Sequence, residues 1–180
     1  MSTEHKTFVY NKVMKTIREM LEQRGYKIEE EDNEKIMAIP IEEDNDDKIY
    51  IFKEIIRTFN IKRVKEITSI LESTGIKHCI VIYIDSATPA AKKCIKILHV
   101  DKQLELFTEK ELKYNITKHV LVPAHIKLSN KESEKFKLKH GTKHAVILKT
   151  GPIARFYNYK RGDIIKIVRK TKYVTYRIVK

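Results

Sequence analysis

Lys77 to Asp85 is the most restrictive stretch of this sequence. Its centre, HCIVIYI, is continuously apolar and largely β-branched, as expected for a strand buried on both faces. Such a strand needs a layer above it and another below. The flanking patterns supply candidates. Upstream, Lys48 to Lys53 reads as a strand. Asn60 then caps a helix from Ile61 to Ser73, with Val64, Ile67, Ile70 and Leu71 inward and Gly75 as its stop. Downstream, Thr88 as N-cap and Pro89 as first helical residue open a helix to about Leu98. Its inward positions are Ala91, Cys94, Ile95 and Leu98. Gln103 to Phe107 is a further short strand. Strand, helix, strand in this order is a βαβ-like unit, so the first half is expected to be α/β.

Ahead of this unit, Thr7 to Arg24 is an amphipathic helix. Val9, Val13, Ile17 and Leu21 stack at i, i+4 spacing, Tyr10, Met14 and Met20 widen the stripe, and Gly25 is the expected stop. Lys35 to Ile41 is a short strand between two acidic runs, Glu29–Asp32 and Glu42–Asp47. Clustered carboxylates are ligands for Mg²⁺ or Ca²⁺, but no D-x-D-x-D-G loop is present. Solvated loops are the preferred reading of both runs.

Charge divides the chain of 180 residues. Residues 1–107 carry a net charge of −1 and residues 108–180 a net +14. That split argues for two domains with different partners. The basic half suits nucleic acid or an acidic protein surface, and composition does not choose between them. No apolar run approaches the roughly 18 residues of a membrane span, and the N-terminus lacks the apolar segment of a secretory signal. Cys79 and Cys94 form no CxxC and are expected to be reduced thiols.

In the second half, Thr108 caps a helix from Glu109 to about Asn115. Ser129 and Glu132 form a capping box that opens a short basic helix to about Lys139. Lys143 to Leu148 is a strand. Pro152 begins a short helix on which Ile153, Phe156 and Tyr157 share a face, and Gly162 permits a tight turn. Two β-rich runs follow, Asp163–Arg169 and Lys172–Val179. Ile165, Ile167 and Arg169 alternate with Ile164, Lys166 and Val168. Tyr173, Thr175, Arg177 and Val179 alternate with Val174, Tyr176 and Ile178. This is a hairpin with no glycine at its turn. His119 and His125 lie six residues apart with Pro123 between them and no cysteine nearby. That is no recognised zinc pattern, so they are read as packing or interface histidines.

Signatures of catalysis are missing. There is no Gly-rich phosphate loop, no G-x-S-x-G and no H-E-x-x-H. The α/β first half has the look of a metal-dependent nuclease, for which Lys48, Lys53, Asp85 and the acidic run are the available groups. None stands in a D…E-x-K arrangement, so no catalytic residue, metal site or cofactor is assigned.

The last 29 residues resemble a known family. Pro152, Ala154, Arg155, Tyr157, Lys160, Arg161, Gly162, Lys166, Ile167 and Arg169, followed by Tyr173, Val174, Thr175, Tyr176, Arg177 and Val179, are similar to the C-terminal end of the fifth-largest subunit shared by eukaryotic RNA polymerases I, II and III. The family has an archaeal counterpart. The run from Asn115 to His125 resembles the family's N-I-T-x-H-x-L-V-P-x-H segment, with Ala124 in place of Glu. Thr88, Pro89, Ala91 and Lys92 match its T-P-S-A-K sequence, with Ala90 in place of Ser. Arg24, Gly25 and Tyr26 match the end of its opening helix. Gly151 replaces an Asp and Asn158 a Gly, and Asn tolerates the left-handed cap.

The resemblance implies an α+β protein of two domains. The first, residues 1–110, is a nuclease-shaped jaw domain without nuclease residues, and the second, 111–180, an assembly domain. Thr88, Pro89, Ala90, Lys92 and Lys93 are the implied contacts with the backbone of downstream duplex DNA. His119, Pro123, His125, Pro152, Arg155, Tyr157, Lys160, Arg161, Arg169, Tyr173, Tyr176 and Arg177 are the implied contacts with the largest subunit. The implied partners are that subunit, the other polymerase subunits and DNA, with no membrane and no homo-oligomer. The expected place is the nucleus for a cellular copy, and a virion or cytoplasmic factory for a copy from a large DNA virus. The rival from another class is a free-standing basic nucleic-acid-binding module.

Overall fold

The apolar run around Ile80 is a central strand with a parallel neighbour on each side. A computed structural model describes residues 3–42, 47–98, 102–141 and 144–180. Residues 43–46 of the second acidic run, and Lys143 of the expected strand 143–148, lie outside them. The protein is α+β, with two sheets, and divides into two compact units, Met1–Tyr114 and Asn115–Lys180.

The first unit runs α1 (Thr3–Gln23), β1 (Tyr26–Glu31), β2 (Lys35–Pro40), β3 (Ile49–Phe59), α2 (Ile61–Thr74), β4 (His78–Ala87), α3 (Pro89–Leu98), β5 (Gln103–Thr108) and α4 (Glu109–Leu112). Its sheet has the order β1-β2-β3-β4-β5. The first three strands are antiparallel, and β3, β4 and β5 are parallel. Alternation along β4 separates the two layers. Cys79 and Val81 join Val64, Ile67 and Leu71 of α2 and Ala91 and Ile95 of α3 in one core. Ile80 and Ile82 point the other way with Ile36, Ala38, Ile49 and Ile51, all fully buried, and the stripe Val9, Val13, Ile17, Met20 and Leu21 of α1 is buried as well.

The helix ends follow the sequence signals. Asn60 Oδ1 accepts the Arg63 N–H at 3.0 Å, and Gly75 takes the left-handed conformation, φ +71°, that ends α2. Several expectations need correction. Glu29–Glu31 are not loop but the outer half of edge strand β1, because a strand with one side in solvent tolerates carboxylates. The strand expected at 48–53 continues to Phe59, where Ile56 and Phe59 are buried beside β4. Ile70 is 37% exposed rather than inward, and Ile84 stands out at 40%, since cover of β4 fails beyond Ile82. The helix after Thr108 stops at Leu112, and Asn115 instead caps a 3₁₀ turn at Ile116–Lys118.

The second unit contains β6 (Ala124–Lys127), α5 (Asn130–His140), β7 (Val146–Ile147), α6 (Pro152–Phe156), β8 (Ile164–Val168) and β9 (Val174–Val179), in the sheet order β6-β8-β9-β7. Strand β6 has no sequence signal of its own, and the run expected at 143–148 shortens to two residues. The hairpin register pairs Val168 with Val174 and Ile164 with Ile178. Its turn closes through Lys172 N–H to Arg169 O at 2.8 Å, with Lys172 at φ +62° doing what glycine usually does. The two alternating sets are the two faces of the sheet. Ile165, Ile167 and Val179 pack with Ala154 of α6 and Tyr159. Tyr176, on the other face, stacks on Phe136 of α5 with ring centroids 4.5 Å apart.

One polar cluster lies inside the first unit. Arg24, at the end of α1, forms a two-pronged ion pair with Glu105 of β5 at 2.8 and 2.9 Å. Nε2 of His78, the first residue of β4, lies 2.6 Å from the same carboxylate, and the Asp47 carboxylate is 3.6 Å from its Nδ1. The Arg24 and His78 side chains are each 3% exposed. Burial alone would raise the Glu105 pKa, but Arg24 and His78 outweigh it and hold it at about 2. Burial alone would lower that of His78, but the Asp47 and Glu105 carboxylates raise it on balance. Glu105 therefore contributes stability that is present above its unfolded pKa near 4.5 and lost as pH falls toward 2. His78 contributes stability that is present below its unfolded pKa near 6.5 and lost as pH rises through its higher folded value. The cluster is strongest between those two unfolded values. Glu105→Gln, which removes the carboxylate that Arg24 and His78 share, should destabilise the first unit by about 3–5 kcal/mol in urea denaturation at pH 6. A loss below about 1 kcal/mol, the range of an exposed pair, would show the cluster to be solvated.

Candidate nucleic-acid and subunit interfaces

The two sets of site residues fall in different units. In the first unit, the parallel pair β3 and β4 ends together, with Phe59 opposite Ala87. The Thr88 N–H donates to Phe59 O at 2.9 Å, fixing the turn into α3. Thr88 Oγ1 accepts the Ala91 N–H at 3.2 Å, and Thr88 O accepts the Lys92 N–H at 3.0 Å. Pro89 has no N–H. Of the first turn of α3, the Ala90 N–H alone lacks a hydrogen bond among the described residues. The cradle suggested by T-P-A-A-K-K thus reduces to one backbone donor with two lysines behind it. Pro89, Ala90, Lys92 and Lys93 are exposed while Ala91 is fully buried, so the helix turns its cationic side outward. Neither lysine has a carboxylate partner among the described residues.

The sequence pattern did not show what lies beside this turn. Helix α2 starts at the same sheet end, one strand over, so two helix N-termini stand adjacent. Each carries about half a positive charge. Lys62, in the first turn of α2, is exposed, and so is Arg57 of β3, although Arg57 pairs with Asp85 at 3.1 Å. Phosphate oxygens suit such an edge.

In the second unit the structure gathers part of the predicted set. The Tyr157 and Tyr159 rings stack at 5.2 Å, and the buried Tyr159 hydroxyl donates to His125 O at 3.1 Å, tying the turn after α6 to β6. His125 Nδ1 lies 2.8 Å from Pro123 O. Burial, helped by Arg177 and Arg169, lowers the His125 pKa. Arg177 also donates to Val146 O at 3.2 Å, bracing β7. Asn158 is left-handed at φ +54° in place of a glycine, and Gly151 caps α6 without a side-chain bond. Asp163 accepts the Lys160 N–H at 2.7 Å and pairs with Lys127 at 3.0 Å, so the unit's one acid outside α5 is spent on its own turn.

The remaining predicted residues are surface. Pro152, Lys160, Arg161, Arg169 and Tyr173 are exposed, and His119 is exposed with its Nδ1 taking the Leu121 N–H at 3.2 Å. Tyr176 and Arg155 are half-buried. The implied contact set left out several exposed apolar side chains of the same unit: Leu121 is 82% exposed, Val120 65% and Leu148 63%. Phe136 was also missed. Its signal was a phenylalanine that shares an otherwise polar helix with one other apolar residue, Leu138. Among the described residues, no group of three or more His, Cys, Asp or Glu is arranged to hold a metal ion. No helix among them is long and apolar enough to cross a membrane.

Residues 114–179 match the family model described as RNA polymerase Rpb5, C-terminal domain. The chain is similar to a putative DNA-directed RNA polymerase subunit, 454R, of Invertebrate iridescent virus 6, at 32% identity over 187 residues, covering 96% of this chain and 100% of that protein. It is also similar to subunit RPABC1 of DNA-directed RNA polymerases I, II, and III of Caenorhabditis briggsae, at 26% identity with 98% of both chains covered. The counterpart from Dictyostelium discoideum is 29% identical, with 92% of this chain and 94% of that protein covered.

Tyr159→Phe should remove the hydroxyl that donates to the part-buried His125 carbonyl and cost about 1 kcal/mol, measured by denaturant unfolding of the full chain. An unchanged midpoint would mean that the tie between β6 and α6 is not made by this hydroxyl.

Proposed function

This chain belongs to the Rpb5 family of DNA-directed RNA polymerase subunits, and on that premise we propose that its two units serve as a jaw toward downstream DNA and as an assembly module. It is a non-catalytic subunit of a multi-subunit polymerase, and nucleotide addition is the work of the complex. In this reading the first unit touches the DNA backbone through the end of its sheet at Thr88–Lys93. The contact is sequence-independent, since it comprises a backbone N–H, helix starts and lysines, which meet phosphates rather than base edges. The second unit docks on the largest subunit through the hairpin, the α6 turn and the exposed Leu121 segment. A nuclear site fits a cellular copy, and a virion or cytoplasmic factory fits a viral one.

One observation carries the assembly role. Residues 115–180 hold 17 Lys and Arg against 3 Asp and Glu, and the same unit leaves Val120, Leu121, Leu148 and Tyr173 more than 60% exposed. Apolar side chains amid cations describe a subunit interface, with anchors at its centre and charge at its rim. A free-standing nucleic-acid binder has use for the cations and none for the leucines.

Two measurements test these roles. The fragment 115–180 should co-purify with the polymerase on gel filtration of native extract, and the fragment 1–114 should not. The reverse pattern would exchange the roles. In the assembled polymerase, Lys92→Ala with Lys93→Ala should lower the slope of log K for downstream duplex against log salt by about 2, one counterion per lysine. An unchanged slope would remove the phosphate contact from this edge.

A further inference from the structure

The sheet of the first unit is wider than the helices that cover it. Helices α2 and α3 pack over β3, β4 and β5, and β2 and β1 continue beyond α2. A groove of about 390 Å³ is left along the outer side of α2. Its floor is Tyr50 and Phe52 of β3, with ring centroids 4.6 Å apart and planes tilted by 44°. Ile67 and Ile70 form its helical wall, and Ile70, which falls on the inward stripe of α2, stands 37% exposed there.

The rim is acidic. Glu34, Glu54 and Glu66 line it together with Lys53 and Arg63. Both cations are already committed. Lys53 Nζ donates to Glu31 at 3.1 Å and to Asp32 O at 2.6 Å, and Arg63 bridges Glu54 and Glu66. Glu34 has no ion-pair partner among the described residues. The groove therefore combines aromatic faces, an aliphatic wall and surplus negative charge, which repels phosphate and attracts cations. Its volume suits one or two side chains rather than a helix.

A guanidinium meets all of these demands together. It is planar and weakly hydrated, it lies on aromatic rings, its stem covers aliphatic surface, and its fork takes carboxylates bidentately. We propose that this groove is a docking site for an arginine side chain presented by a partner polypeptide. Its lining residues are not among those assigned above to DNA or to the largest subunit, and the proposal does not rest on those assignments.

The test is an amide-shift titration of the ¹⁵N-labelled full chain with the capped peptide Gly-Arg-Leu-Gly. The same peptide with citrulline for arginine, and a short DNA duplex, serve as further probes. The arginine peptide should move the amides of Phe52–Glu54 and Arg63–Ile70. Citrulline, which keeps the shape and loses the charge, should bind about tenfold more weakly. Glu34→Lys combined with Glu54→Lys, both at exposed positions, should weaken the arginine peptide by at least about tenfold while leaving the rest of the spectrum in place. The proposal fails if the shifts fall elsewhere, or if citrulline matches arginine. It fails equally if the double variant binds as before, or if the duplex moves the same amides.

Discussion

Parallel pairing of β3 with β4 and of β4 with β5 obliges the chain to return twice to the same sheet edge, and a helix makes each return. Both helices must then begin where β3 and β4 end. That puts the N-termini of α2 and α3 side by side, with Asn60 and Thr88 each closing one first-turn N–H. A local positive edge follows from topology rather than composition. Residues 1–114 carry 20 Lys and Arg against 21 Asp and Glu, so the unit as a whole has no cationic surplus. The acidic side chains instead gather on β1 and beyond it, where an edge strand can hold them in solvent. Charge is thus sorted within a nearly neutral unit by strand order, with two helix N-termini and exposed cations at one sheet end and carboxylates on the outer strand.

How much of this was legible follows from which forces act locally. Caps and periodicity are local, and they read well. Thr88 and Pro89, Asn60, Thr108, and Ser129 with Glu132 all stand where the sequence puts them, and Glu111 completes a capping box with Thr108 that was not read. So does the alternation of the hairpin, which separates the α6 face from the α5 face. Tertiary effects were not legible. Strand β6 is a strand because Ala124–Lys127 pairs with β8, and its own residues carry no strand signal. Strand β1 was hidden by its glutamates, since a carboxylate run looks the same in a loop and on an edge. Ile70 has the spacing of a core residue, and only the width of the sheet leaves it uncovered. Arg24, His78 and Glu105 meet across 81 residues of sequence, and no spacing rule reaches that far.

The groups that gave the first half its nuclease-like look in sequence were Lys48, Lys53, Asp85 and the acidic run, of which residues 43–46 lie outside the described residues. Lys48 pairs with Glu29 at 3.1 Å, Lys53 with Glu31 at 3.1 Å, and Asp85 with Arg57 at 3.1 Å. These are three separate pairs: two reach from β3 and its entry across β2 to β1, and one joins β3 to its neighbour β4. Metal-assisted hydrolysis needs carboxylates and a lysine aimed at one phosphate. Here Lys48, Lys53 and Asp85 are each held in an ion pair of their own.

The second unit faces a harder electrostatic problem. With 17 cations and 3 acids in 66 residues, one of those acids held by the turn before β8, it repels itself and attracts any polyanion. In a polymerase the nearest polyanions are template and transcript, and a patch left bare would bind them without regard to sequence. Docking removes that hazard only if the partner face brings carboxylates. The apolar side chains at Leu121 and Leu148 then supply the burial, and matched charges around them set register and speed of association more than strength. On the docking proposed above, the partner surface would offer both carboxylates and apolar contacts. In this reading the basic surplus serves to orient docking, and the DNA contact falls to the nearly neutral unit, where a few exposed lysines can touch a backbone that must keep moving.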